Sequence, residues 1–256
     1  MLDIEQIISF YPGYLKSFRR NLLCEYMQHK ILEIIFDSEF GGKLVFMGGT
    51  ATHIVYQNNR FSEDLDFDNL GLNSKDFKQL TKHVQRKLEL EGYTTEIKNI
   101  YRNTYRCYLK IPNILFESGL TGHREEKMLI QIDTEPQKFS YQPEKFIINK
   151  FDVFCQINIT PQDILLSQKI YALLKRKRPL GRDIYDAIFL FGKTNPNFVY
   201  LQEKLNIKNM EELKRGLSLK CKHWNFKQLA KDVEPFLFTS EDSKKILLFP
   251  EYLEIK

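Results

Sequence analysis

Long apolar runs are missing from this sequence. Across 256 residues, 43% of them hydrophobic, no stretch approaches the roughly 20 apolar residues that a membrane-spanning helix needs. The opening "MLDIEQIISFYPGY" has neither the basic start nor the clean apolar centre of a secretion signal, so the expected address is the cytoplasm, with no membrane partner. Cysteine is scarce. Cys24, Cys107, Cys155 and Cys221 lie far apart with no C-x-x-C pair, which argues against a disulfide framework or a zinc site and for buried, reduced thiols. Internal repeats and low-complexity tracts are also lacking, which excludes solenoids and linker-like segments. The five histidines, His29, His53, His83, His123 and His223, fall in separate segments, so no serine–histidine–acid or cysteine–histidine set is assembled.

What the chain does have is a core's worth of apolar residues and a mild basic excess, formally +5, compatible with a polyanionic partner. The cations gather in "KSFRR", "LLKRKRPLGR" and "KCKHW". Residues 16–37 repeat apolar side chains at helical spacing, with Leu22, Leu23, Tyr26, Met27, Ile31, Ile34 and Ile35 on one side. "KLVFMG" reads as a short strand buried on both faces, followed by a glycine pair and a helical "TATHIVYQ". Residues 74–91 predict a polar-faced helix capped by Ser74 and stopped by Gly92. "YTTEIK", "TYRCYLKI" and "KMLIQIDT" are strand candidates. The loop-like 135–146 then separates an α/β half, residues 1–146, from a mainly helical part, residues 147–256, whose first helix starts at Thr160-Pro161-Gln162-Asp163 with the threonine as cap. The expected fold is α/β (α+β): a mixed sheet with flanking helices, then a helical C-terminal part that contributes to the active site.

The chemistry concentrates in "VFMGGTATHIVYQNNRFSEDLDFD". Phe61 to Asp68 alternates strictly, with Leu65 and Phe67 to one side and Asp64, Asp66 and Asp68 to the other. Like charges on one strand face repel, so a divalent cation between them is the natural compensation. Mg²⁺, or Mn²⁺, takes hard carboxylate oxygens and shares its shell with substrate phosphates. Gly48, Gly49 and Thr50 stand between a buried strand and a helix, where glycine lets backbone approach an anion closely. Asp133 ends an apolar strand, where an uncompensated acid would be costly, and is the candidate third metal ligand. Downstream, Lys169 lies on an amphipathic helix, and Asp183 and Asp186 share a helix face beside Arg182.

These blocks, "MGGTA", "RFSEDLDFD" and "DILLSQKIYALLKRKRPLGRDIYD", resemble the AbiEii-type nucleotidyltransferases, the toxin half of AbiE and related toxin–antitoxin pairs, within the DNA polymerase β-like superfamily. The resemblance spans roughly residues 20–190. It implies that Gly49 and Thr50 grip an NTP's triphosphate, that Asp64 and Asp66 are the metal-binding pair, and that Asp133 is the third carboxylate near the attacking hydroxyl. It further implies that Lys169 contacts the nucleotide phosphates and that Asp186, or else Asp183, is the downstream catalytic acid. Ser62 matches the serine of the R-F-S-E-D block, as a nucleotide contact or, more simply, a support for the carboxylate strand. "KRKRPLGRD" departs from the common R-x-K-x-R-D spacing by extra residues between Lys175 and Arg182. The implied protein is an Mg²⁺-dependent enzyme that moves an NMP onto an acceptor, such as an RNA 3′ end or tRNA acceptor stem, in a toxin–antitoxin or phage-defence system with a cognate antitoxin. Protein nucleotidylation uses the same parts. A catalytically silent module that binds a partner or nucleic acid is the rival from another class, and the intact Asp64, Asp66 and Lys169 argue against it.

Overall fold

The structure, a computed structural model, describes residues 2–255. Contacts divide the chain into two units: one holds residues up to Ala51 together with Ser62–Ile159, the other Thr52–Phe61 together with residues from Thr160 onward.

The first unit is built on a sheet of seven strands: β1 (Leu44–Met47), β2 (Leu65–Asn69), β3 (Glu96–Tyr101), β4 (Tyr105–Ile111), β5 (Met128–Pro136), β6 (Glu144–Lys150) and β7 (Val153–Ile159). Their order is β3-β4-β5-β2-β1-β7-β6. Pairing is mixed: β2 with β5 and β1 with β7 are parallel, the remaining neighbours antiparallel. Helices α1 (Ile4–Ser9), α2 (Arg19–Phe36), α4 (Ser74–Leu90) and the single turn α5 (Ile114–Glu117) belong to this unit, and α3 (Gly48–Ile54) carries the chain out of it.

Period-2 alternation decides which side chains meet α2 and α4. Phe67 packs its ring against Phe36 of α2, and Tyr105 against Phe77 of α4. Leu65, Cys107, Leu109, Ile130 and Ile132 are buried in the same alternation. Their odd-numbered partners, Asp66, Arg106, Tyr108, Gln131 and Asp133, therefore project from the opposite face, where they are only half-buried. The expected split of Leu65 and Phe67 from the aspartates is what β2 shows.

Helix α2 is more deeply buried than an amphipathic reading predicts. Besides the expected apolar residues it buries Glu25, Gln28, His29 and Lys30, each with a partner: Lys30 Nζ lies 3.1 Å from Glu91, Lys150 Nζ donates to Glu25 at 2.7 Å, and Gln28 Nε2 donates to the Ser62 carbonyl at 2.8 Å. Burial pushes the thiols of Cys107 and Cys155 up to about 12, as befits core residues.

Three local expectations are corrected. The cap of α4 is Asn73, whose side chain accepts from the backbone N–H groups of Lys75 and Asp76, so Ser74 is the first helical residue. Thr160 is buried and does not cap the next helix, which starts at Gln162. Strands β6 and β7 continue the sheet to Ile159, so the contact division falls there and the expected boundary at 146 lies within β6. The hairpin's turn is Phe151-Asp152, without the Asn-Gly or Asp-Gly signal. Phe151 nevertheless holds a left-handed φ of +60°, wedged edge-on against Phe10, Tyr26 and His29.

The second unit is helical: α6 (Gln162–Lys175), α7 (Gly181–Phe191), α8 (Phe198–Leu205), α9 (Met210–Cys221), α10 (Phe226–Val233), α11 (Lys244–Leu247) and α12 (Phe249–Ile255). Residues 52–61 join it as an extended strap. Phe61 N–H donates to the Phe236 carbonyl at 2.8 Å and Phe238 N–H to the Asn59 carbonyl at 3.2 Å, around an antiparallel bridge from Arg60 to Leu237.

Candidate active site

Strand β1 delivers Gly48 at φ +80° beside the start of β2, where Met47 is the register partner of Asp66. A Cβ on Gly48 would lie 2.9 Å from Asp66 Cβ and closer still to its Oδ2. Only glycine fits both the backbone angle and the neighbouring carboxylate. Gly48→Ala is therefore expected to cost about 1–3 kcal/mol of stability from backbone strain alone, and to displace Asp66. Urea denaturation checks the first effect; an unchanged midpoint would contradict it.

Gly49 and Thr50 follow, both buried. The Thr50 hydroxyl donates to the Asp64 carbonyl oxygen, so this side chain holds the carboxylate strand instead of facing outward. Asp64 stands just before β2, and its Oδ1 accepts from Gln131 Nε2 at 2.8 Å. Asp66 is the in-register neighbour of Asp133 across the parallel β2–β5 pair. The third aspartate of the alternation, Asp68, is buried and accepts from the Tyr141 hydroxyl at 2.5 Å. Ser62 contributes its carbonyl to Gln28.

Asp133 does not complete a carboxylate trio. Arg106, its antiparallel partner on β4, grips it with two nitrogens: Nε donates to Oδ1 at 2.8 Å and Nη2 to Oδ2 at 2.6 Å. Among the described residues no three His, Cys, Asp or Glu side chains form a group able to hold a metal ion. With Asp133 committed to Arg106, Asp64 and Asp66 are the hard oxygen donors left on the open sheet face, and their chemistry fits one divalent cation of the Mg²⁺ or Mn²⁺ type.

Lys169, Asp183 and Asp186 lie in the second unit and meet there. Lys169 Nζ is 2.8 Å from Asp186 Oδ2 and 3.3 Å from Asp183 Oδ1. Asp186, with no exposed surface, is held by Arg60 through Nε and Nη2 at 2.6 Å each, and by Asn58 Nδ2 at 2.8 Å. Burial pushes its carboxyl up, yet Arg60 and Lys169 outweigh that and hold it below the usual carboxylate range. Such a residue positions Lys169 and the Arg60 strap; contact with substrate is closed to it. Arg176 Nη1 reaches Asp183 Oδ2 at 2.5 Å. Two carboxylates thus face three cations, Arg60, Lys169 and Arg176, and one positive charge is left over. Lys175, Lys177 and Arg178 are exposed.

Sequence reasoning missed Arg60, Asn58 and Arg106. Arg60 and Asp186 are 126 positions apart, and nothing local marks either as paired. Arg106 alternates against buried Cys107 and Leu109, which put it on the carboxylate face once the β4–β5 register is known.

A glycine-led turn ending a buried strand, two alternate aspartates opening the adjacent antiparallel strand, and a mixed sheet backed by helices define a nucleotidyltransferase-type core. The family model described as nucleotidyl transferase AbiEii toxin, type IV TA system, matches residues 30–239, and the chain belongs to that family. Two crystal structures from Helicobacter pylori share the fold, JHP933 and a protein described as a candidate nucleotidyltransferase. Each is 19% identical with a TM-score of 0.55 over 92% of this chain, covering 94% and 97% of their own chains respectively. A comparison with curated protein sequences finds no significant match.

Proposed function

We propose that this member of the AbiEii toxin family transfers a nucleoside monophosphate from an NTP to an acceptor hydroxyl. The observation that carries the reading is the open-face pair Asp64 and Asp66 beside Gly48, whose backbone has room only because it lacks a Cβ. The acceptor oxygen bonds to the α-phosphorus, the bond from that phosphorus to the bridging oxygen breaks, the hydroxyl proton departs, and pyrophosphate leaves. Asp64 and Asp66 would hold Mg²⁺ or Mn²⁺, which supplies charge neutralisation at the phosphates and lowers the pKa of the acceptor hydroxyl. Gln131 orients Asp64 from the side, and Thr50 fixes its backbone. Lys169, in a network with one positive charge in excess, supplies cationic charge for the phosphates and the departing pyrophosphate.

The acceptor in this reading is an RNA end, such as a tRNA acceptor stem, gripped through Lys175, Lys177 and Arg178. Each phosphate contact releases counterions, so replacing these three by alanine is expected to lower the log–log salt slope of RNA binding by roughly 0.7–0.9 per lost contact. Arg176 is left intact because it holds Asp183. Identical slopes for both proteins, with transfer to RNA unaffected, would move the acceptor surface elsewhere. The type IV family points to an antitoxin partner. No described helix is long and apolar enough to cross a membrane, and the NTP requirement fits work in the cytoplasm. Incubation with each α-labelled NTP, Mg²⁺, total RNA and total protein tests the reading: label is expected in RNA, label in protein would replace the acceptor class, and label in neither would refute transfer.

A further inference from the structure

The open face of the sheet carries a row that alternates in charge across three adjacent strands. Arg106 on β4 is the register partner of Asp133 on β5, and Asp133 is the register partner of Asp66 on β2. A guanidinium has been placed one strand beyond the carboxylates that would receive a cation, where it would repel that cation if Asp133 did not neutralise it. The remaining carboxylates, Asp64 and Asp66, together carry the charge of one divalent ion.

The geometry of the pair is that of a held arginine. The side-chain fork meets both Asp133 oxygens, through Nε at 2.8 and 2.9 Å and Nη2 at 2.6 Å. Such bidentate contact fixes the plane of the guanidinium as well as its position. Arg106 nevertheless stays 42% exposed at its side chain, against 22% for Asp133, so its outer edge faces the open side. There its Nη1 meets the Tyr108 hydroxyl at 3.4 Å, a long contact that a stronger acceptor can replace. An arginine with two donors fixed by a carboxylate and others turned outward, on the face that presents Asp64 and Asp66, suits a phosphate oxygen.

We propose that Arg106 binds a phosphate of the incoming NTP, and that Asp133 is its positioning residue and not a metal ligand. This inference rests on the nucleotidyltransferase reading above and changes the role of one of its expected carboxylates. An NTP with one divalent ion keeps net negative charge, and Arg106 supplies the cation on the side of the sheet away from that ion. Lysine cannot take over fully, since it carries the charge without the planar fork.

The test measures two bindings without turnover, in the full chain and with no acceptor: Mn²⁺ alone by electron paramagnetic resonance, and an α,β-methylene NTP analogue with Mg²⁺ by calorimetry. Arg106→Ala is expected to weaken the analogue about 10- to 100-fold, the usual scale for a lost charge-assisted hydrogen bond. Arg106→Lys should recover part of that loss, and Mn²⁺ affinity should stay within about twofold or rise as a nearby positive charge is removed. Asp133→Asn should leave Mn²⁺ binding within the same range and weaken the analogue less than Arg106→Ala, whereas Asp66→Asn should lose Mn²⁺. Both members of the pair are partly exposed, so these variants are expected to fold, and circular dichroism checks it. Asp133→Asn losing Mn²⁺ as fully as Asp66→Asn, or Arg106→Ala binding the analogue like wild type, would overturn the proposal while leaving nucleotide transfer intact. A wild-type chain that binds neither Mn²⁺ nor the analogue would overturn both.

Discussion

Asp64→Ala and Asp66→Ala are each expected to lower nucleotide transfer by a factor of about 100 or more while the chain stays folded. The rate loss follows from removing one of the two donors that hold charge against the reacting phosphates, a contribution of that order wherever positioned charge meets a charged transition state. Stability should move little. Asp66 is half-buried among like charges, and its removal relieves repulsion in the ion-free protein. Asp64→Ala gives up the Gln131 hydrogen bond, worth about 1 kcal/mol, and keeps the Thr50 contact because that one is made to backbone. Steady-state transfer assays paired with urea denaturation separate the two effects. Full activity in either variant would remove these residues from the site, and unfolding of both would make them structural.

Asp186→Ala is expected to do the reverse, acting on stability first. Arg60 is 2% exposed and Asp186 not at all, so deleting the carboxylate strands a buried guanidinium and leaves Lys169 with Asp183 alone. Breaking a buried pair from one side costs about 3–5 kcal/mol, a large part of the roughly 5–15 kcal/mol that holds a typical domain together. The strap 52–61 would loosen with it, because Arg60 also donates to the Phe61 carbonyl at 2.9 Å. The pH dependence has a definite sign. The folded carboxyl sits below its ordinary value, so its stabilisation is fully present above the unfolded value near about 4 and is lost as pH falls through the folded one. Denaturation from pH 7 down to pH 3 should show the wild type losing stability in the acid range, and Asp186→Asn losing less over the same interval. Equal acid slopes would mean that the pair does not contribute as described.

Much of the first unit could be read from spacing. The alternation from Phe61 to Asp68 separates a buried from an open face, because a strand's period is 2 whatever its neighbours are. Gly48 was legible as a backbone requirement. Burial depth was not: Asp68 shares the parity of Asp66, yet Tyr141, 73 positions away, closes over it. The hairpin β6–β7 was hidden because Phe151-Asp152 carries no turn chemistry of its own and is held by rings from distant segments. Lys169, Asp183 and Asp186 were recognisable as a set, but Asp186 read as an exposed catalytic acid, since its partner Arg60 lies in a segment with no helical or strand pattern. The meaning of Arg106 depends on the register between β4 and β5, a long-range fact that no local pattern encodes.

The central claim is that the bond made is to the α-phosphorus of an NTP. Parallel reactions with α-labelled and γ-labelled NTP, Mg²⁺ and total RNA test it most directly. The account predicts α label retained on the acceptor and γ label released as pyrophosphate, with both signals lost in Asp66→Ala. Transfer of the γ label to the acceptor would contradict it, because that outcome belongs to a kinase and not to a nucleotidyltransferase.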